Sequence, residues 1–336
     1  MTDSDRVWDF HLFLGAFLLS HMALLFWPES PLCFGLYSVF WSCFAFVKLL
    51  WILETPVLLE HMDPPQRRTR LPWVILNSMT HRARLEYGFT AMRAGDFVAL
   101  LWALLGLLYI FWGVLTLFIP HLPSEFLVFQ ERISLFLESG APPVSLHHFE
   151  IWEQGLPDIG FLLTLGIVLW LCRVYAYTTP SPARFRGALA GLLALDAMRL
   201  FPNARFATFF VPVENHWMGY GWGAAPLMKQ LGLIPPADTS SLYNRITEMG
   251  MGGVVLFYMF CGFIGLVFLK KVFRKDPKGL FALSGLLLLG LFAGMDALIA
   301  HTPALTPFWI SGWSVLVLLW HGAESTGQKT YHMNQV

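Results

Sequence analysis

The chain has 336 residues, 56% of them hydrophobic and 13% charged, with 30 Phe and 14 Trp and a formal net charge of zero. Soluble domains carry about 25% charged residues. So low a share, gathered around apolar runs of about 20 residues, reads as a polytopic helical membrane protein. Electrical neutrality gives no case for nucleic acid as a partner. The lipid bilayer is the first expected partner.

The expected fold is all-α, a single integral membrane domain over 1–336 with eight transmembrane helices, or seven if the fifth is re-entrant. The leading MTDSDRVWDF is acidic, and no small-residue cleavage site follows the first apolar run, so the first span is expected to be retained. Spans one and two, about 7–27 and 32–53, are joined by PESP as a tight hairpin. The segment 54–95 carries Arg67, Arg68, Arg70, Arg82, Arg84 and Arg93 and is expected to be a cytoplasmic basic loop, with a surface helix over 73–92. Span three covers 97–119. The segment 120–157 is acidic, and Phe126, Phe129, Ile133 and Phe136 fall at helical spacing, which predicts an outer loop holding an amphipathic helix. Span four covers 159–177, and span five, short and charged, covers 185–201. The stretch 202–248 reads as an outer aromatic cap, built around NHWMGYGWG and placed over spans five to seven. Spans six, seven and eight cover 249–269, 279–300 and 304–320, and 323–336 is a polar, flexible tail.

Loop charge tests this layout. Lys and Arg concentrate in 54–95, 173–186 and 270–278, the segments expected in the cytoplasm. With the N-terminus inside, 270–278 returns inside only if span five crosses. Eight spans and two cytoplasmic termini follow. The compact chain with short loops points to the bacterial inner membrane.

Ionisable residues within spans are costly and often functional. Lys48 is placed near the inner end of span two, its stem reaching toward the surface. Asp9 and Asp96 stand at helix N-termini, where the dipole favours them. Asp196 and Arg199 are three apart and able to pair on one helix face. With Asp296, His301 and the cap residue His216 they suggest an outer cluster. Asp196, Arg199, His216 and Asp296 are thus the candidate catalytic residues for an enzyme acting on a lipid or lipid-linked substrate at the outer leaflet, Arg199 pairing with phosphate and His216 or an Asp serving as acid or base.

Eleven histidines raise haem as a cofactor, with His11, His21, His301 and His321 as candidate ligands at two levels of the bilayer. His11 and His21 are ten apart, about 80° off a common helix face, which weakens that reading. Cys33, Cys43, Cys172 and Cys261 lie in apolar runs without CxxC spacing and read as buried small hydrophobes, not a metal site. The small residues Gly187, Gly191, Gly262, Gly265, Gly285, Gly290 and Gly294 are expected to bring helices close. No HExxH, phosphate-loop or GxSxG pattern occurs. No internal repeat is visible, which weighs against an inverted-repeat transporter. The expected function is a non-catalytic integral subunit or scaffold of a larger bacterial envelope complex, of secretion, transfer or respiratory type, with other membrane protein subunits as partners. The outer-leaflet enzyme and a haem- or quinone-binding redox protein are the alternatives.

Overall fold

Pro31 and Pro182 stand near the starts of two helices, a place where the missing N–H costs nothing. In the first of these, the Ser30 hydroxyl accepts a bond from the Cys33 N–H at 3.3 Å and caps the helix. A computed structural model of the chain describes residues 3–28, 30–54, 94–118, 144–179, 181–207, 217–225, 239–273, 279–302 and 305–324. Among them are eight α-helices: α1 Asp3–Phe26, α2 Pro31–Glu54, α3 Ala94–Phe118, α4 Val144–Thr178, α5 Pro182–Leu200, α6 Ser241–Phe273, α7 Gly279–Leu298 and α8 Leu305–Glu324. A 3-10 turn at Phe201–Asn203 ends α5, and two isolated bridges, Phe206 with Ile299 and Ser240 with Ala300, tie the connections together. The surface helix expected over 73–92, the amphipathic helix at 126–136 and most of the tail 323–336 lie outside the described residues.

Five of the helices, α1, α2, α4, α6 and α7, are long and apolar enough to cross a membrane. Large apolar side chains on α1 and α2, among them Trp8, Leu19, Leu32, Leu36 and Val47, are exposed. So extensive an apolar surface suits lipid better than water.

Contacts at the two ends fix the helix directions. At one end, here the lysine end, Lys48 of α2 bonds Asp9 of α1. There too, Phe10 packs on Phe185 of α5 with ring centroids 5.4 Å apart, and Lys271 of α6 donates to the Ala323 carbonyl of α8. At the other end, the cap end, His21 of α1 meets Asp196 of α5, and Phe201 packs on Phe308 of α8. Consecutive helices therefore alternate in direction, and α1 begins at the end where α8 finishes. α5, with 19 residues and a length of about 28 Å, has its first turn at the lysine end and its last at the cap end.

The larger of two core clusters among the described residues is drawn from α1, α2 and α4 to α8. Its hub is the last helix. α8 packs on α4, α5 and α7, and Phe308, Ile310, Trp313, Leu316, Leu318 and Trp320 on its several faces are buried. A helix buried nearly all round faces protein and not lipid, so Ser311 and Ser314 are accommodated by bonding the Phe308 and Ile310 carbonyls.

Two boundaries depart from the expected spans. α4 starts at Val144, inside the segment expected to be an outer loop. α6 starts at Ser241, two turns before the expected 249, and the expected start coincides with a break: Gly250 has φ 64° and ψ −167°. The glycines also serve differently. Among the described residues nothing approaches the Cβ position of Gly187, Gly191, Gly262, Gly290 or Gly294 within 4 Å, and Gly265 makes only ordinary contact. Of the seven, Gly285 alone is tight, against the Phe268 ring at 2.6 Å. The closest approaches occur elsewhere: Gly113 under Trp222, Gly252 under Trp112 and Gly219 against the Gly250 backbone.

Candidate functional site

The break in α6 releases backbone groups that a continuous helix would pair, and GYGWG of the cap takes them up. Tyr220 N–H donates to the Thr247 carbonyl and Gly221 N–H to the Glu248 carbonyl, each at 2.9 Å, while Gly252 N–H donates to the Trp217 carbonyl at 3.0 Å. The Trp112 indole N–H of α3 supplies the Met249 carbonyl at 2.9 Å. Gly219, Gly221 and Gly223 all have positive φ, at 70°, 115° and 89°, conformations that side-chain-bearing residues reach at a cost. The Glu248 carboxylate accepts from the Ala225 N–H at 3.3 Å. Tyr220, Trp222, Ala224 and Ala225 are buried against Tyr243 and Met249, with Tyr109 and Trp112 of α3 and Ile159 and Leu162 of α4 around them. Of the described part of the cap, 217–225 thus rests on α6, one of the three spans expected beneath it, and also on α3 and α4, while the Ala207 N–H bonds the Leu298 carbonyl of α7.

Beneath this loop, Arg245 of α6 grips Asp296 of α7 with two bonds, Nη1 to Oδ2 at 2.7 Å and Nη2 to Oδ1 at 3.1 Å. Its Nε donates to the Tyr109 hydroxyl of α3 at 3.0 Å, and its guanidinium lies 3.7 Å from the Phe257 ring centroid. The Tyr258 hydroxyl adds a bond to Asp296 Oδ2 at 3.3 Å. Planar two-pronged pairing with aromatic stacking is the arrangement arginine serves best.

A second polar centre joins α1 to α5. His21 Nε2 lies 2.9 Å from Asp196 Oδ2, both residues almost wholly buried. At the lysine end, Asp9 takes the Lys48 ammonium on Oδ2 and the Tyr175 hydroxyl on Oδ1, the latter at 2.8 Å. Lys48 also stands 4.7 Å from the Tyr175 ring centroid. It does not reach the surface as expected: its side chain is 5% exposed, turned inward by an aspartate that the neighbouring helix brings within reach.

No protein-family model, curated protein or solved structure matches the chain.

The expected outer cluster separates into distinct centres. Asp196 is turned to His21 on another helix, and not along its own helix to Arg199, because burial at the α1–α5 interface favours the partner that is buried with it. Arg199 sits half-buried in the last turn of α5, where the helix dipole favours a cation. Asp296 belongs to Arg245. His301 is exposed, its Nδ1 3.0 Å from the Ser241 hydroxyl. His216 lies outside the described residues. Of the haem candidates, His11 is exposed and bonds the Val7 carbonyl of its own helix, with its ring edge-on to Phe10. His21 stacks on Phe17, and His321 is buried in α8 at the lysine end. Among the described residues no three His, Cys, Asp or Glu side chains converge on a point that would hold a metal. Of the cysteines, Cys172 is buried, Cys33 and Cys261 are half-buried, and Cys43 is exposed, contrary to the expectation of burial for all.

Sequence reasoning overlooked Arg245, Tyr109 and Tyr258. Arg245 fell outside the expected sixth span because SLYNRITE is polar. The paired glycine clusters GYGWG and MGMGG were the available signal that a loop and a broken helix meet.

Proposed function

We propose that the protein is a non-catalytic integral membrane subunit or scaffold of a larger bacterial envelope complex, crossing the inner membrane eight times with both termini in the cytoplasm. The observation that carries this reading is the full use of the Arg245–Asp296 pair. Both carboxylate oxygens and three guanidinium nitrogens are bonded within the bundle. A phosphate clamp needs open donors, and a general acid or base needs an open oxygen. This pair offers neither, and instead ties α3, α6 and α7 together. The same holds at the lysine end, where Asp9, Lys48 and Tyr175 join α1, α2 and α4. Charge placed so as to lock helices is what a rigid frame for other subunits requires.

Eight crossings rest on the alternating helix directions and on the length of α5. Outside those five, α3 carries a shorter apolar run at Leu104–Thr116, α5 is short and carries Asp196 and Arg199, and α8 faces protein on nearly every side. The orientation rests on Lys and Arg at the lysine end.

Purification from native membranes in mild detergent tests the assignment: a stoichiometric membrane partner is expected. Recovery of the protein alone, combined with loss of a chemical activity on substituting one polar residue in a chain that still folds, would overturn it in favour of an enzyme. Topology is tested separately with Trp217→Cys, since Trp217 is 61% exposed in the cap whereas Ala224 is buried. In a background lacking the native cysteines, a membrane-impermeant maleimide is expected to label it from outside the cell. Labelling only after permeabilisation reverses the orientation.

A further inference from the structure

Among the described residues, four polar atoms in the apolar core make no well-aligned protein hydrogen bond: His21 Nδ1, Asp196 Oδ1, the Tyr37 hydroxyl and Trp41 Nε1, the last two close enough to each other to interact. Their residues are 0%, 1%, 3% and 0% exposed. They form one group. His21 is bonded to Asp196 and stacks on Phe17 at 5.8 Å. Phe17 packs on Trp41 at 5.6 Å, and Trp41 on Tyr37 at 6.1 Å. Tyr37 in turn lies within electrostatic range of Asp196 and of Cys172 on α4. Three helices, α1, α2 and α5, thus carry these polar atoms along one run of touching side chains in a core that is otherwise aromatic.

Buried polar atoms are almost always paired, and leaving several unpaired together is a heavy cost in a medium without solvent. The chemistry of the four atoms defines what completes them. A 2.9 Å contact between His21 Nε2 and Asp196 Oδ2 requires a proton between them. In the neutral ring with that proton on Nε2, His21 Nδ1 is an acceptor. Asp196 Oδ1 is an acceptor, the Trp41 indole is a donor, and the Tyr37 hydroxyl is both. A ligand must then donate and accept at short range. An apolar molecule does neither. An anion meets a carboxylate and a bare ring nitrogen. A metal ion lacks a third ligand among the described residues. Water donates twice and accepts twice, and waters that bridge such groups occur about once per 27 residues in folded proteins.

We propose that His21, Asp196, Tyr37 and Trp41 form an internal hydration site in which bound water bridges the His21–Asp196 pair to the Tyr37 hydroxyl and the Trp41 indole. The site places exchangeable protons beside a histidine and a carboxylate inside the bundle, and it does not depend on the assembly role above.

Two measurements on the full chain in lipid nanodiscs test it. Tyr37→Phe removes one of the four atoms and little volume. If water bonds that hydroxyl, the variant loses a bond and its Tm falls by about 2–4 °C. If the region is dry, the variant sheds an unsatisfied group and its Tm stays or rises. In 15N-histidine-labelled protein, magnetisation transfer from water to the His21 ring is expected, assigned by its disappearance in His21→Gln. A Tm that is unchanged or raised in Tyr37→Phe, or a His21 ring with no transfer from water, overturns the site.

Discussion

Arg245 and Asp296 face each other across the α6–α7 interface through two near-parallel bonds of 2.7 Å and 3.1 Å. Removing one member leaves a buried charge without its counterion, whereas replacing both leaves none. Asp296→Asn is therefore expected to destabilise the protein by about 3–5 kcal/mol, and the double variant Arg245→Met with Asp296→Leu to recover most of that loss. Thermal unfolding followed by tryptophan fluorescence in one detergent checks the order of stabilities. If the single and double variants are equally destabilised, the pair is not an energetically coupled unit.

The tie at the lysine end is asymmetric. Lys48 is 5% exposed and Asp9 25% exposed. Losing Asp9 takes the counter-charge from a buried ammonium, while losing Lys48 leaves a carboxylate that keeps the Tyr175 hydroxyl at 2.8 Å and some access to solvent. Asp9→Asn is expected to cost about 3 kcal/mol, and Lys48→Met less, about 1–2 kcal/mol. The comparison is made by Tm at constant salt. A larger loss for Lys48→Met would mean that the contact of Lys48 with the Tyr175 ring, 4.7 Å to its centroid, outweighs the ion pair.

Cysteine reactivity reports the packing of α2 and α4. Cys43 is exposed on α2, among Val39, Phe46 and Val47, which face outward. Cys172 is wholly buried on α4. A lipid-soluble maleimide is expected to modify Cys43 in the folded protein, whereas Cys172 becomes reactive only with opening of the core, at a rate that follows unfolding. Peptide mass spectrometry after timed labelling distinguishes the two sites. Equal rates would place α4 outside the core.

The helices were largely legible in the sequence, because lipid exposure and burial both demand apolar residues, and runs of about 20 stand out. What escaped was polar sequence buried in protein. SLYNRITE reads as loop on hydropathy, yet it forms the first turns of α6, since the cap covers it and Arg245 finds its partners there. Pairing was less legible than placement. The spacing of Asp196 and Arg199 names a neighbour on the same helix. It carries no information about His21, which lies 175 residues away and becomes the partner only when α1 packs on α5. The glycine pattern misled for a related reason: small residues at helical spacing read as packing seams, but among the described residues most of the seven have open space before them, and the tight positions lie where aromatic side chains, Met249 or opposing backbone press in.

That contrast yields the last prediction. At Gly219 the backbone has φ 70°, and a Cβ would stand 2.4 Å from the Gly250 nitrogen and 2.6 Å from the Glu248 carbonyl carbon and oxygen. The left-handed conformation alone costs an alanine about 1–2 kcal/mol, and backbone on the opposing side is unable to yield as a side chain would. Gly219→Ala is expected to lift the 217–225 loop from the break in α6, exposing the Thr247 and Glu248 carbonyls that the loop now fills. The Tm falls accordingly, and amide exchange at Tyr220 and Gly221 accelerates. Gly187→Ala sits mid-helix on α5 with nothing within 4 Å. There alanine gains about 0.8–1.0 kcal/mol of helix propensity, so the Tm holds or rises. If both variants behave alike, the loop does not brace the broken helix, and the Gly250 kink is held by α3 alone through Trp112.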